Sequence, residues 1–412
     1  MKIPGFTLSV IMLLSLFRGL KAQNLDLGGF MDSYHAVRIQ DPFDFMSSRS
    51  RFRAEVRGEK ERSGFFVSLN ANHHNLLPER TFIELRELYL DYSGRNWDLR
   101  AGRQIIIWGV ADGMKITDII SAMDMTEFLA REYDDIRMPV DALKFRAFKN
   151  NFKMEFVFVP VFRSSIFPVN PENPWNILPA SSTGPVVVLG DAVKPEARLA
   201  NSEIGGRASF YLSGFDISLA SLYTWNKFPV FRNELTTGMD SLIMYPEHHR
   251  LTMVGIDLSK PLGSFVIRGE AGYFSGERHP TEMEGTSNRL VGKPVIRFLA
   301  GIDWYPGSGW TLTGQYAHTC ILDFEQNLDC EAHHFLATLG ISKKLLSSTL
   351  TLSTFGYVDL TTLGFFNRTG IDYSLSDQIH LCLGVDLFGG KDGMFGTYAD
   401  NSEIWIKVKY SF

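Results

Sequence analysis

The sequence predicts an all-β fold, a transmembrane antiparallel up-and-down β-barrel of about eighteen strands. Three observations carry that expectation. The first is the last segment, Ser402 to Phe412. There Ile404, Ile406, Val408, Tyr410 and Phe412 alternate with Glu403, Lys407, Lys409 and Ser411, and Trp405 falls in the polar row. Strict period two marks a strand with one apolar and one polar face, and the segment's length matches the roughly 9–11 residues that a tilted strand needs to cross a bilayer. The second is that such runs recur from residue 24 to the end. The third is that the connections between them alternate between tight turns and long loops, as in membrane barrels closed by one chain.

Taken in order, Lys2 precedes an apolar run from Ile3 to Phe17 and then Arg18-Gly-Leu-Lys-Ala22-Gln23. This reads as a cleaved secretory signal over residues 1–22, with the barrel over 23–412. No Cys follows the run, which argues against a lipoprotein anchor. The candidate strands are 24–39, 48–58, 63–73, 82–93, 96–108, 142–149, 152–160, 203–213, 215–226, 248–259, 264–275, 293–305, 310–321, 332–344, 348–358, 362–374, 378–388 and 402–412. The short connections include Lys149-Asn150-Asn151, Ser213-Gly214, Lys260–Gly263, Pro306–Gly309 and Leu375–Asp377. Longer ones fall at 109–141, 161–202, 227–247, 276–292, 322–331 and 389–401, and the short connection near 359–361 breaks the alternation. An even strand count puts both termini on the short-turn, periplasmic side. A β-propeller would need a repeat near forty residues, and there is none.

Two long connections stand apart. Residues 160–202 are rich in Pro, Asn and Ser, with Pro168, Pro171, Pro174, Pro179 and Pro185. They are expected to form an extracellular loop folded over the mouth. Residues 109–141 carry Ile116-Thr-Asp-Ile-Ile-Ser and then Asp124 to Arg131, where Asp124 can cap a short helix with Glu127 at the capping-box position. A charged loop leaving a barrel wall is expected to fold inward and narrow the lumen.

Composition agrees. After the signal no stretch of eighteen apolar residues offers a transmembrane helix, because lumen-facing polar residues dilute each strand. A net charge of −5 argues against a nucleic-acid partner. The 32 Phe suit a lipid-facing surface with aromatic girdles. Of three cysteines, Cys320 and Cys330 flank a loop that a disulfide could close, and an exported compartment permits one. Cys382 sits in an alternating strand as a small packing residue.

In the second strand Arg49, Arg51, Arg53 and Arg57 share one face with Glu55, while Ser50, Phe52, Ala54 and Val56 share the other. Arginine facing lipid at mid-membrane costs about 2–4 kcal/mol, so the row faces the lumen. The same logic places Asp98 and Arg100, Lys144 and Arg146, Lys153 and Glu155, Arg207, Arg268 and Glu270, Arg297 and Asp303, and Lys407 and Lys409 inside. A row of guanidinium forks suits carboxylates and phosphates, which predicts a pore favouring anions. The competing reading is an Arg–carboxylate network that stiffens the barrel, with Glu84, Glu87, Asp91 and Asp98 close enough to serve. Both readings stand open at this point.

The pairs His73-His74, His248-His249 and His333-His334 fall near outer strand ends. Adjacent strand residues point to opposite faces, so no pair can chelate alone. No HExxH, GxSxG, P-loop or strand-to-helix GxGxxG is present. No metal or cofactor is implied.

One stretch resembles a known family. It runs from Leu85-Arg-Glu-Leu-Tyr-Leu-Asp-Tyr92 through Trp97-Asp-Leu-Arg-Ala-Gly-Arg-Gln104 to Ile105-Ile-Ile-Trp108-Gly109-Val-Ala-Asp112, Ile116-Thr-Asp-Ile-Ile, Asp124 and Asp135-Ile-Arg137-Met-Pro139. Over roughly residues 85–145 it is similar to the alginate-export porins and related porin-like proteins of Gram-negative outer membranes, which carry a like Gly-Arg-Gln, Trp-Gly and Asp-x-Arg-x-Pro. The resemblance implies a monomeric barrel of about eighteen strands with an arginine-rich lumen. It implies that Arg100, Arg103 and Gln104 line the pore, and that Asp112, Asp118, Asp124, Glu127, Arg131, Asp135 and Arg137 shape the constriction. The Arg49–Arg57 row and the Pro-rich loop have no counterpart in it, so the solute is not carried over. The expected function is an outer-membrane porin for passive diffusion of small anionic or polar solutes. Outer-membrane lipid and lipopolysaccharide would surround it, and barrel-assembly machinery would be its partner during biogenesis. The alternatives are a barrel hydrolase and a plugged surface-binding or adhesion barrel.

Overall fold

A computed structural model describes residues 24–111, 113–178, 184–236, 238 and 240–412. The segment read as a signal lies outside the described residues, as do Asp112 and Pro179. Eighteen strands form the wall: Asn24–Arg38, Phe45–Lys60, Ser63–His74, Phe82–Ser93, Trp97–Gln104, Val140–Lys149, Phe152–Val159, Glu203–Leu212, Phe215–Trp225, Arg250–Leu262, Phe265–Ser275, Val295–Gly307, Trp310–Ile321, His333–Leu345, Leu350–Asp359, Phe365–Ser374, Ile379–Gly389 and Glu403–Ser411. Each pairs antiparallel with its neighbours in the chain, and the last returns to the first, with Phe30 opposite Ser411 and Arg38 opposite Glu403. The barrel is therefore closed and leaves no edge strand.

The alternation read from the last segment is the register observed. Ile404, Ile406, Val408, Tyr410 and Phe412 are exposed on the outer surface, and Glu403, Trp405 and Lys407 are buried on the lumen side. Phe412 exchanges both backbone hydrogen bonds with Gly29, each 3.1 Å, and its ring stacks on Phe52. Leu27, Phe52, Ile83, Leu90, Leu143 and Phe156 continue the exposed apolar surface around the wall. In water such a surface would drive aggregation; in a bilayer it is the lipid face. An even-stranded barrel closed by one chain, apolar outside and charged inside, is the architecture of the bacterial outer membrane, and that is where it places this chain.

The wall departs from expectation at the fifth strand. It ends at Gln104, not Trp108. The Glu87 carboxylate accepts the Ile105 N–H at 2.9 Å, and Ser121 Oγ accepts that of Ile106 at 3.2 Å, so the chain leaves the sheet there and turns inward. The long loops also hold strands that were not anticipated. Val186–Leu189, Val230–Leu235 and Ser241–Glu247 form a three-stranded sheet, and Arg278–Pro280 pairs with Leu290–Gly292. Their runs are too short for period two to separate them from loop.

Residues 105–139 cross the lumen, and the first part of the 160–202 loop lies on them. Ile106, Trp108 and Ile120 bury themselves with Val140, Leu222, Met253 and Phe274 of the wall. Phe128 and the fully buried Trp175 pack with Tyr34, Phe388 and Tyr398. Ile166 exchanges backbone hydrogen bonds with Met123 and Met125, and Asn173 Nδ2 donates to the Thr126 carbonyl at 2.8 Å. The first part of the Pro-rich loop thus packs directly on the inward segment.

Two local expectations are corrected. Asp124 does accept the Thr126 N–H at 3.1 Å, but Phe128 has φ 46° and no helix propagates from it. The single helical turn lies later, at Tyr133–Ile136. Glu127 plays no capping-box role, because Ser47, Arg49 and His74 on the wall claim its carboxylate. The Cys320–Cys330 disulfide is not formed. Cys320 sits in the strand opposite His333, and Cys330 lies in the loop with its Sγ 3.9 Å from His279 Nδ1.

Candidate functional site: the lumen constriction

The inward segment is held from several sides of the barrel, and charge does most of the holding. On the second strand Arg49 Nε lies 3.1 Å from Glu127 Oε2, and Arg51 Nη2 lies 2.5 Å from Asp32 and 2.9 Å from Asp135. Arg53 reaches Asp135 at 3.6 Å and donates to Asn70 at 2.7 Å. Across the lumen Glu270 accepts the N–H groups of Val110, Ala111 and Thr117 at 2.5, 2.7 and 3.1 Å. Arg268 donates to the Val110 carbonyl at 2.8 Å, Tyr357 to that of Gly113 at 2.5 Å, and Lys407 pairs with Glu132. A charged segment in a charged lumen is satisfied by opposite charges on the facing wall.

The predicted lumen arginines are largely cross-linked. Arg100 pairs with Asp91 at 2.7 Å, Arg146 with Asp98 at 2.7 Å, Arg207 with Asp257 at 2.8 Å, Arg268 with Asp303 at 2.7 Å and Arg297 with Glu277 at 2.5 Å. Arg57 stacks over Phe66. Within the segment Arg137 pairs with Asp118 at 3.1 Å, and Arg131 with Asp124 at 3.1 Å. The stiffening reading therefore holds for much of the wall.

Two residues assigned to the pore by resemblance do not line it. Arg103 faces outward at the rim. Its cross-strand neighbour is Asp141, two residues before the exposed Leu143, and the pair is joined at 2.9 Å. Gln104 points inward but is fully buried beneath the segment, donating to the Ala142 carbonyl at 3.0 Å. The His pairs diverge as strand geometry requires: His74 Nε2 meets Glu127 at 3.3 Å, while His73 meets Asn75 at 3.0 Å.

Where the second, third and fourth strands, the segment and the Pro-rich loop meet, a cavity of about 90 Å³ remains. Its lining holds seven arginines, Arg49, Arg51, Arg80, Arg86, Arg131, Arg137 and Arg163, and four carboxylates, Glu84, Asp124, Glu127 and Asp135. Arg80, Arg86 and Arg163 were missed. Arg86 is the extra residue of a bulge, since Glu87 opposes Ser68 and Leu85 opposes Leu69. Strict alternation would have put it in the lipid-facing row with Leu88. No local signal marks Arg163, which reaches the cavity from a loop and donates to the Pro139 carbonyl at 2.9 Å.

The segment's acids are tuned by these partners. Burial raises the Glu127 carboxyl, but Arg49, His74, Arg131 and Ser47 outweigh it and hold it far below the carboxylate range. Asp135 behaves alike, with burial opposed by Arg51, Arg131 and Arg53, and Asp124 is held low by Arg131, Arg80 and Thr126 against its burial. Groups depressed in the folded state stabilise it above their ordinary value of about 4 and lose that contribution as pH falls through the depressed values. The hold on the segment is thus full at neutral pH. Single-channel conductance is expected to stay level from pH 7 to about 5 and to rise only below about 4. A rise near pH 6 would mean that another group holds the segment.

On the other side of the segment the lumen stays more open. A void of about 610 Å³ lies against Phe355, Tyr357, Phe366, Arg368 and Trp405, and an upper chamber of about 280 Å³ adjoins it at Gly113, Leu129 and Tyr357. Among the described residues no three His, Cys, Asp or Glu side chains are grouped to hold a metal ion.

A family model described as a protein of unknown function (DUF1302) matches residues 44–379. No curated protein matches the sequence. Among solved structures the chain is similar to Pseudomonas aeruginosa OccK2 (OpdF) in complex with glucuronate, with a TM-score of 0.56 and 11% identity over 95% of this chain and 98% of that one. It is also similar to P. aeruginosa OccK8 (OprE), at 0.55 and 8% over 95% and 98%, and to Acinetobacter baumannii OccAB1, at 0.55 and 10% over the same shares. At such identities the likeness is one of fold, and that fold is a porin-like barrel.

Proposed function

We propose that this chain, which belongs to the DUF1302 family of proteins of unknown function, is an outer-membrane channel that passes small anionic and polar solutes by passive diffusion. The observation that carries this reading is the excess of arginine over carboxylate in the cavity at the constriction. Arg51 and Arg137 are also paired with Asp32 and Asp118 just outside the lining, so the surplus at the cavity is small and positive. In a narrow, partly dehydrated passage such donors offset the hydration that an anion gives up. The paired arginines along the wall stiffen the barrel and hold the segment that sets the size limit. The resemblance to alginate-export porins belongs to the same reading, which leaves the solute open.

On this reading the protein is a monomer, as the resemblance to alginate-export porins implies. Lipid and lipopolysaccharide contact its outer face, barrel-assembly machinery inserts it, and it is a channel and no hydrolase. The test is the reversal potential of the purified protein in a planar bilayer across a salt gradient. An anion-selective potential is the expected result. Cation selectivity would remove the arginines from their role and keep the channel; folded protein without conductance would sink the channel. Glucuronate, bound in one of the structures of like fold, is a suitable first organic solute.

A further inference from the structure

The outer surface of the barrel is recessed near the short turns of the second to fifth strands. Two cross-strand rows line the recess. Gly58, Phe65, Leu90 and Ala101 form one, and Lys60, Ser63, Tyr92 and Leu99 form the next, closer to the turns. Both rows alternate with the lumenal Arg57 and Arg100 and so face outward. Between them lies a hollow of about 340 Å³, a size at which small-molecule sites begin. Its shape follows from the residues. A Cβ at Gly58 would run into the Phe65 ring, so the ring lies down on Gly58 and is buried there, although its row faces out. The short side chains of Ser63 and Ala101 leave the space beside Leu90, Tyr92 and Leu99 open. Glu59 and Asp91 border the hollow but alternate with its rows, and Asp91 turns to Arg100 in the lumen at 2.7 Å.

The surroundings of the hollow say what fills it. Tyr92 packs on Trp97 and Trp97 on Phe145, with ring centroids 5.6 and 6.0 Å apart, and all three rings are exposed. Such an aromatic group marks the depth of the lipid headgroups. At that level the two turns carry Lys60, Arg62 and Arg95, all exposed, against one acid, Glu61. Among the described residues none of the three basic side chains is paired with a carboxylate. Apolar contact alone would hold any lipid in passing, whereas a basic mouth distinguishes lipids by the charge of the head. We propose that this recess binds one anionic phospholipid of the periplasmic leaflet, with an acyl chain along Phe65, Leu90 and Ala101 and the phosphate on the Lys60 ammonium. Such a site depends on the barrel and its orientation, and it stands whether or not the lumen conducts.

The test is native mass spectrometry of the purified protein in mild detergent, titrated with phosphatidylglycerol or with phosphatidylcholine of the same acyl chains. The wild type is expected to retain a single phosphatidylglycerol with an affinity about tenfold above that for phosphatidylcholine. Lys60→Gln is expected to remove that difference, and Lys60→Arg to keep it. Ala101→Phe fills the hollow with a side chain that lipid tolerates, and it is expected to weaken retention of both lipids about tenfold. Equal retention of the two lipids by the wild type would overturn the proposal without any variant. So would a preference that survives in Lys60→Gln, or retention that Ala101→Phe leaves as before. Heat-modifiable gel mobility confirms that each variant is folded.

Discussion

Replacing residues 105–139 by a tight turn is expected to raise single-channel conductance several-fold, with the barrel still closed. The wall is held by its own ladders from the first strand to the eighteenth, and no segment residue takes part in them. Barrels of sixteen to eighteen strands leave an aqueous channel when nothing fills them. Here Ile106, Trp108 and Ile120 on one side and Phe128 on the other fill that space. The wall groups that lose partners, chiefly Glu270 and the Arg51–Asp32 pair, would face water and not a dry interior, so the burial penalty of an orphaned ion is largely avoided. Glu270→Ala alone is expected to act in the same direction with a smaller effect, since it frees the N–H groups of Val110, Ala111 and Thr117. Unchanged conductance in the shortened channel would mean that the constriction lies elsewhere, with the outer loops the next place to look.

The second large effect is expected from Arg163→Glu. This change removes one positive charge from the basic cavity and adds a negative one, a swing of two against a small positive surplus. The reversal potential should move strongly toward cations, while Arg163→Lys should keep the wild-type sign. Arg163 is the better probe because its hydrogen bond goes to the Pro139 carbonyl, and its loss strands no bonded carboxylate. Arg51→Glu would confound the measurement. It breaks a buried pair with Asp32 and Asp135, a loss of about 3–5 kcal/mol that acts on folding as well as on selectivity. If Arg163→Glu leaves the potential unchanged, the cavity is off the conduction path and the larger void beside Trp405 carries the current.

The barrel, its strand number and most of its inside-outside assignments were legible in the residues because each rests on a local rule. Period two is written into consecutive positions, and lipid penalises a charge on the wrong face whatever lies across the lumen. That is why the rows of the second and last strands are where their alternation put them. Applied to Arg103, the same rule sets it on the face opposite Arg100 and Gln104, and its outer pair with Asp141 corrects the inward placement that the family resemblance implies. Arg86 escaped because one extra residue in a bulge changes a side chain's face, and that residue is defined only by its partner strand.

By itself, then, the sequence determined that this chain is a closed membrane barrel with charged rows inside and a charged loop aimed inward. The tertiary structure alone decided what those charges do. Which arginine meets a carboxylate depends on strands brought face to face across the lumen, such as Arg51 with Asp135 or Glu270 with the backbone of Val110. So does the sharing of one carboxylate, Asp118, between Arg137 and Lys115. These are distances between segments far apart in the chain, and no period along it encodes them.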